Sequence, residues 1–188
     1  RWILEPTETS LEELQQHPEG IVYKPISYKK YKTRPLPTPS GTGKVDFASI
    51  YLKKFGLSEL PEYIPPYYLK VKKTYPFVLQ TGARKPLLYH TTYQNIARFR
   101  TIFPTAQVEM HPATAVELDI QDTDRVRIIS EIGVVEVEAK IVHEREIQPG
   151  ILEMYHGWED NRVNLVTYDQ RNDPISGFPL LKAIPVRI

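Results

Sequence analysis

The residues best suited to chemistry form one continuous stretch near the middle of the chain. Its apolar run Pro76–Leu79 predicts a buried strand, and Gln80–Gly82 ends that strand with a glycine, which lets the backbone approach a ligand closely. The planar fork of donors on Arg84 suits a phosphate or a flat heterocycle, and Tyr89 and His90 add an aromatic ring and an imidazole. The stretch indicates a site for an anionic, aromatic ligand, although alone it fits a plain strand, turn and solvated loop more simply.

A second stretch repeats this combination of residue types. His156-Gly157-Trp158 also follows a predicted strand and places a glycine between an imidazole and an aromatic ring. Asn164 comes in the next loop, and its amide offers both a donor and an acceptor to the edge of a heterocycle. Taken one at a time, His156 is more simply a packed histidine bonded to backbone, and Trp158 a core residue.

The composition excludes several kinds of catalytic centre. The chain has 0 cysteines, so within it there is no disulfide scaffold, thiolate metal site, iron–sulfur cluster or cysteine nucleophile. Its 5 histidines lack the spacing of a zinc protease, and the nucleophile elbow of serine hydrolases is absent. The sequence neither excludes a pair of catalytic carboxylates nor singles one out. The sequence alone therefore favours binding over catalysis.

Length and charge limit the organisation of the chain. Its 188 residues suit one domain, or a domain with an arm. A net charge of +1 gives no overall field for nucleic acid or a membrane surface, and no apolar run approaches the length of a membrane span. The 17 prolines and 12 tyrosines favour short strands and turns. Because the sequence does not begin with methionine, we expect a fragment or a processed product.

Residues 1–73 are predicted to be an extended, irregular arm or linker. Ser10 fits the N-cap of a short helix, residues 45–48 predict a strand, and Ser49–Phe55 predicts a second short helix that Gly56 closes. The lysines and tyrosines of Tyr23–Arg34 could follow a nucleic-acid backbone. We favour a solvated segment there, because acidic residues just upstream balance its charge.

Residues 74–188 predict a compact, mainly β domain, of the kind that forms a small closed β barrel. The clearest element is a hairpin of Arg125–Ile129 and Val134–Ala139, whose alternating pattern places arginines opposite glutamates on a wet face. Further predicted elements are strands at 76–79, 107–110, 151–155 and 183–188, a helix from Pro112 with Ala115, Val116 and Leu118 buried, and a helical turn within 93–103 with Ile96 and Phe99 inward.

The order of the motifs along the chain is more specific than any one of them. They run Thr38-Pro-Ser-Gly, Thr81-Gly82 to Arg84, Tyr89-His90-Thr91, Val108 to Pro112, Pro149-Gly150, His156-Gly157-Trp158, Asn164, and Asp173 to Ala183. Together they resemble the C-terminal region of the molybdopterin oxidoreductases of the dimethyl-sulfoxide-reductase type, including the molybdopterin dinucleotide-binding domain. The resemblance covers essentially the whole chain. It departs from the family pattern at Ser40–Lys44, where two residues interrupt the usual connector.

The resemblance implies a six-stranded double-psi β barrel for residues 74–188, with the arm packed on upstream domains. It also implies a molybdenum or tungsten ion held by two molybdopterin guanine dinucleotides, that is, bis(molybdopterin guanine dinucleotide). The metal-ligating residue and the iron–sulfur cluster would lie in those upstream catalytic domains, and an iron–sulfur electron-transfer subunit is a further implied partner. No catalytic residue or metal ligand is expected here. The implied cofactor-binding residues are Thr81, Gly82, Arg84, Tyr89, His90, Thr91, His156, Asn164 and Lys182.

An alternative function is a non-enzymatic barrel module that binds a protein partner through the tyrosine-rich arm. It predicts that no pterin binds and that deletion of residues 21–34 abolishes function. The sequence leaves the substrate open, since the family acts on compounds as different as formate, nitrate and acetylene. It also leaves open the choice between molybdenum and tungsten, and between cytoplasm and periplasm.

Overall fold

The structure is a computed structural model that describes residues 2–82 and 85–188. The chain divides into two compact units, one that ends at Glu62 and one formed by Tyr63–Ile188. No helix among the described residues has the length and apolar character needed to cross a membrane.

The first unit contains short helices joined by irregular segments. Ser10 caps the first α-helix, and its hydroxyl accepts the Glu13 N–H at 2.9 Å. Ser49 caps the second in the same way, accepting the Leu52 N–H at 3.3 Å. Both predicted helices are therefore confirmed. The helices are α1 (Leu11–Gln16) and α2 (Ile50–Lys54), with 3-10 turns at Glu5–Thr7 and Lys30–Lys32.

The strand predicted at residues 45–48 is wrong, because these residues form bends and an irregular segment. The Asp46 carboxylate accepts the Ser40 N–H at 3.1 Å and also the Ser40 hydroxyl proton. Side-chain bonds of this kind compete with the backbone ladder of a strand and favour turns. The apolar pattern of Val45 and Phe47 does not overcome this local bonding.

The second unit is built around one curled, mixed sheet of six strands in the order β3-β4-β2-β5-β1-β6. The pairs β1–β5 and β2–β4 are parallel, and the other neighbours are antiparallel. Ile129 and Arg187 exchange two backbone hydrogen bonds of 2.9 Å, so the two edge strands meet at one point. The strands are β1 (Phe77–Gln80), β2 (Gln107–Met110), β3 (Arg125–Ile129), β4 (Val134–Ile141), β5 (Ile151–Met154) and β6 (Ile184–Val186).

The two faces of the sheet differ in polarity because successive side chains of a strand point to opposite sides. On the inner face the register aligns Leu79 with Leu152, and Leu152 with Met110, each of which is 0% exposed. On the outer face it aligns Gln80 with Glu153, and Glu153 with Glu109. The predicted hairpin is confirmed, and its arginines do face glutamates: Arg125 pairs with Glu138, and Arg127 with Glu136.

Three short helices accompany the sheet: α3 (Tyr68–Val71), α4 (Ala97–Ile102) and α5 (Pro112–Glu117). The predicted buried stripe of α5 is correct for Ala115, which is 1% exposed, and wrong for Val116, which is 82% exposed. Thr114 takes the inner position instead, where its hydroxyl accepts the Gly150 N–H at 3.0 Å. In α4, Phe99 packs on the core as predicted, whereas Ile96 stands at the N-cap position and is 45% exposed, so its predicted inward position is wrong.

Candidate functional site

Three strand ends meet at one edge of the sheet and carry most of the predicted site. β1 and β5 are parallel, so the residues that follow them, Thr81 and the Tyr155–Gly157 turn, emerge side by side. β6 is antiparallel to β1, with Ile184 opposite Leu79. The residues that precede β6 therefore reach the same edge, and Lys182 is one of them. This arrangement joins segments about 100 residues apart in the chain.

A cleft of about 490 Å³ opens where these strand ends meet, and we call it the central cleft. One wall is apolar and consists of residues 178–181. The other side is polar, and this is where five of the predicted residues come together. They are Thr81, Gly82, His90, His156 and Lys182.

Two close contacts hold the rim of the central cleft together. The Thr81 hydroxyl donates a hydrogen bond to the carbonyl oxygen of Leu181. Gly82 has no room for a side chain as the cleft stands, since a Cβ there would lie 2.7 Å from Cε of Lys182. The Lys182 side chain thus lies directly over Gly82, the residue at which the sequence predicted that the backbone can approach a ligand closely.

The two histidines of the cleft contact each other across it. Nδ1 of His90 lies 3.2 Å from Nε2 of His156, and the ring centroids are 5.3 Å apart. Neutral imidazoles at this distance can share one proton in a hydrogen bond, with one nitrogen donating and the other accepting. The pair connects the loop after β1 to the loop after β5. No local sequence pattern predicted that these two loops meet.

Thr91 and Tyr89 support this arrangement from the side. Gly157, at φ +96°, packs so closely on Thr91 that a Cβ would lie 1.9 Å from Cγ2 of the threonine. Tyr89 stacks edge-on against His90, with ring centroids 5.9 Å apart, and is 64% exposed. Thr91 therefore holds the two loops together, and neither residue lines the central cleft.

Asn164 lies beside the central cleft in two adjoining grooves. It shares the first, of about 500 Å³, with His156 and Trp158, and we call this the Trp158 groove. It shares the second, of about 450 Å³, with Pro179 and Leu181, and we call this the Asn172 groove after another of its residues. Since His156, Pro179 and Leu181 also line the central cleft, the three depressions form one continuous surface.

Gln94 is a candidate site residue that the sequence did not identify. Its Nε2 atom is buried and, within the part of the chain that the structure describes, has no hydrogen-bond partner. A buried donor without a partner is costly, and Gln94 lines the Trp158 groove. It follows the Tyr89–Thr91 motif by three residues, and no feature of composition or spacing sets it apart from its neighbours.

The remaining predicted residue, Arg84, lies outside the described residues. No group of three or more acidic or histidine side chains suited to a metal ion is found within residues 2–82 and 85–188. The described surface thus offers ammonium, imidazole, hydroxyl and amide groups beside an apolar wall. Such groups can bind phosphate oxygens and the edges of a heterocycle.

Comparison with known proteins defines the class of protein to which this chain belongs. Residues 77–185 match the family described as the molydopterin dinucleotide binding domain, and the chain is a member of that family. This confirms the predicted family, and the matched residues span the sheet and the surface described above. The comparisons support dinucleotide binding and give no support to the alternative of a non-enzymatic module.

Two curated relatives are much longer than this chain. The chain is 32% identical over 126 residues to a dopamine dehydroxylase of Eggerthella lenta, an alignment that covers 62% of this chain and 12% of the relative. It is 28% identical over 151 residues to the dimethyl sulfoxide reductase DmsA of Escherichia coli strain K12, which covers 72% of this chain and 18% of the relative. The chain thus spans less than a fifth of each of these two curated relatives.

A solved structure shares the fold over almost the whole chain. Acetylene hydratase from Pelobacter acetylenicus superposes with a TM-score of 0.72 over 98% of this chain and 28% of its own, at 22% sequence identity. The likeness confirms the mainly β architecture with a curled six-stranded sheet and few short helices.

Proposed function

We propose that this chain binds molybdopterin guanine dinucleotide as the C-terminal domain of a larger oxidoreductase. The observation that carries the proposal is the meeting of the ends of β1, β5 and β6, which brings Thr81, His156 and Lys182 to one cleft. In this proposal the Lys182 ammonium binds phosphate oxygens, and the amides of Asn164 and Gln94 bind the edge of a heterocycle. The unsatisfied Gln94 donor and the glycine backbones fit a ligand of this kind.

The arm and the barrel predicted from the sequence have different proposed roles. Residues 74–188 form the cofactor-binding barrel, for which we propose the double-psi topology, and residues 1–73 form an arm that packs on upstream domains. Large apolar side chains of the arm support this, because Trp2, Tyr28 and Phe47 are each more than 80% exposed and are available to pack on further polypeptide.

The bound group would supply the redox chemistry through a molybdenum or tungsten ion held by two pterin dinucleotides. This chain's part is to bind, orient and shield the dinucleotide, while the metal-ligating residue, the iron–sulfur cluster and the substrate pocket lie on upstream domains. An iron–sulfur electron-transfer subunit is the further partner that this proposal includes. Relatives that act on dopamine, dimethyl sulfoxide and acetylene share this kind of domain, so the domain does not define the substrate.

The proposal is tested by identifying the nucleotide that purifies with the full-length protein. We expect mass spectrometry to find guanine-dinucleotide pterin in the wild-type protein, and less of it in Arg84→Ala and Lys182→Ala. Lys53→Ala is the control, since Lys53 pairs with Glu59 within the first unit, far along the chain from the predicted site. Absence of pterin, or unchanged pterin content in both site variants, would contradict the proposed function.

A further inference from the structure

A largely buried ion pair between Lys85 and Glu109 lies on the outer face of the sheet. The Lys85 ammonium bonds to one carboxylate oxygen of Glu109, and the Tyr155 hydroxyl donates to the other at 3.0 Å. The Lys85 Nζ also lies 4.3 Å from the centre of the Tyr155 ring and 5.5 Å from that of Phe103. The side chains of Lys85 and Glu109 are only 22% and 10% exposed.

The charges around Lys85 explain why its side chain is held in this position. Glu109 on β2 lies directly opposite Glu153 on β5, so two carboxylates occupy neighbouring positions on a shielded face. The field of Lys85 favours the ionised form of Glu153, whereas Glu109 opposes it. Withdrawing the lysine would leave these acids without their cation, which is strongly unfavourable at a buried position.

The backbone of Lys85 begins the turn that leads to His90. Its carbonyl oxygen accepts the N–H groups of Leu88 at 3.0 Å and Tyr89 at 3.1 Å. Leu88 is 2% exposed and secures the turn in the core. These contacts fix the start of the turn that brings His90 to the central cleft.

We infer that Lys85 is a positioning residue, which through its ion pair with Glu109 holds the turn to His90 in place for the cofactor. The inference rests on the proposed function. It assigns no contact with the cofactor to Lys85, whose ammonium faces Glu109 and the two aromatic rings. Cofactor binding would then depend on the Lys85–Glu109 ion pair, which lies on the outer face of the sheet and outside the binding surface.

The test uses the full-length protein and three lysine variants. Lys85→Met removes the charge and keeps an unbranched chain, and Lys85→Arg restores a cation. Lys140→Met is the matched control, because Lys140 forms an ion pair with Asp122 at 2.9 Å on the same sheet but outside the site. Two quantities are measured: the dissociation constant for metal-free molybdopterin guanine dinucleotide, and hydrogen exchange of the Leu88 and Tyr89 amides without ligand.

We expect Lys85→Met to weaken binding about tenfold or more, since small displacements of positioned groups have large effects, and to accelerate exchange at Leu88 and Tyr89. Lys85→Arg should recover most of the affinity, and Lys140→Met should change neither quantity. Glu109→Gln should weaken binding and accelerate exchange at the same amides, but by less than Lys85→Met. It tests the same ion pair from the other side if the lysine variant folds poorly.

Failure of the positioning role and failure of the proposed function give different results. If the wild-type protein binds the dinucleotide and Lys85→Met binds it equally well, or its Leu88 and Tyr89 amides stay protected, the positioning role is wrong. If the wild-type protein does not bind the dinucleotide, the proposed function is wrong, and the role given to Lys85 falls with it.

Discussion

At the scale of single residues, Gly157 has less room for a side chain than Gly82, the other glycine beside the paired histidines. Gly157→Ala should destabilise the protein by about 2–4 kcal/mol, because the new methyl group meets Thr91 and the backbone is left-handed. Gly177→Ala is the matched control, since Gly177 has φ +70° with nothing within 4 Å of a Cβ, and should cost about 1 kcal/mol. Urea unfolding measures both, and equal losses would contradict the tight contact.

Glu153 gives a residue-scale prediction about pH. Burial, and then the neighbouring Glu109 carboxylate, raise the pKa of Glu153 above its ordinary 4.5. Because the folded state binds this proton more tightly than the unfolded state, the stabilisation is complete below pH 4.5 and is lost as the pH rises through the folded pKa.

Glu153→Gln should therefore unfold at a higher temperature than the wild-type protein at neutral pH, and this advantage should vanish in acid. Thermal unfolding of both proteins across that pH range is the measurement. A variant that is less stable than the wild-type protein at neutral pH would show that the ionised carboxylate is favourably bound.

Gln94 allows binding to be separated from stability. Gln94→Leu keeps the approximate volume and removes the buried donor, so unfolding should change by less than about 1 kcal/mol. Affinity for the dinucleotide should fall, whereas Asn95→Ala, in the same groove, should have a smaller effect. A large loss of stability with normal affinity would make Gln94 a structural residue.

At the scale of elements, Glu131 holds the β3–β4 turn against its neighbours. Its carboxylate accepts the hydroxyl protons of Tyr67 at 2.7 Å and Tyr168 at 2.8 Å, and Arg171 lies 3.6 Å from it. The Arg171 guanidinium also lies 3.5 Å from the centre of the Tyr67 ring. One carboxylate thus ties the segment before α3 and the loop that follows Asn164 to the hairpin.

Removing this carboxylate should loosen both segments. We expect Glu131→Ala to cost about 1–3 kcal/mol, the usual range for bonds to a charged group. Glu136→Ala should cost less than about 0.5 kcal/mol, because the Glu136 side chain is 60% exposed and 3.9 Å from Arg125. Chemical unfolding at neutral pH measures the difference, and similar losses would contradict the role of Glu131.

The same cluster has a defined dependence on pH. The Tyr67 and then the Tyr168 hydroxyls lower the pKa of Glu131 below its ordinary 4.5. Its stabilisation is therefore present above pH 4.5 and is lost as the pH falls through the lowered folded pKa. The stability gap between the wild-type protein and Glu131→Ala should close in strong acid.

Local patterns predicted the elements well and the site only in part. The β3–β4 hairpin and the Ser10 cap depend on neighbours in sequence, and both were predicted. The meeting of Thr81, His156 and Lys182 depends on which strands pair, and no local pattern encodes that pairing. Only the family resemblance grouped these residues. The strand predicted at residues 45–48 failed because side-chain hydrogen bonds of Asp46 outweigh the apolar pattern. The predicted burial of Val116 failed because Thr114 and Ala115 take the inward positions of α5.

At the scale of the whole molecule, the chain is a member of a cofactor-binding family that occurs within much larger relatives. Its cleft and grooves are open on one side, and the first unit exposes large apolar side chains. Both features fit the proposal that further polypeptide covers the ligand and the arm. The chemistry of the enzyme would then be divided between a surface that binds the dinucleotide and domains that hold the metal and the substrate.

The most direct test is a crystal structure of the full-length protein with its pterin dinucleotide bound. We predict phosphate or heterocycle atoms within hydrogen-bond distance of Lys182, Asn164 and the His90–His156 pair, with the ligand lying along the central cleft and the Trp158 groove. A dinucleotide bound on the outer face of the β3–β4 hairpin, or one that leaves the central cleft free, would contradict the account.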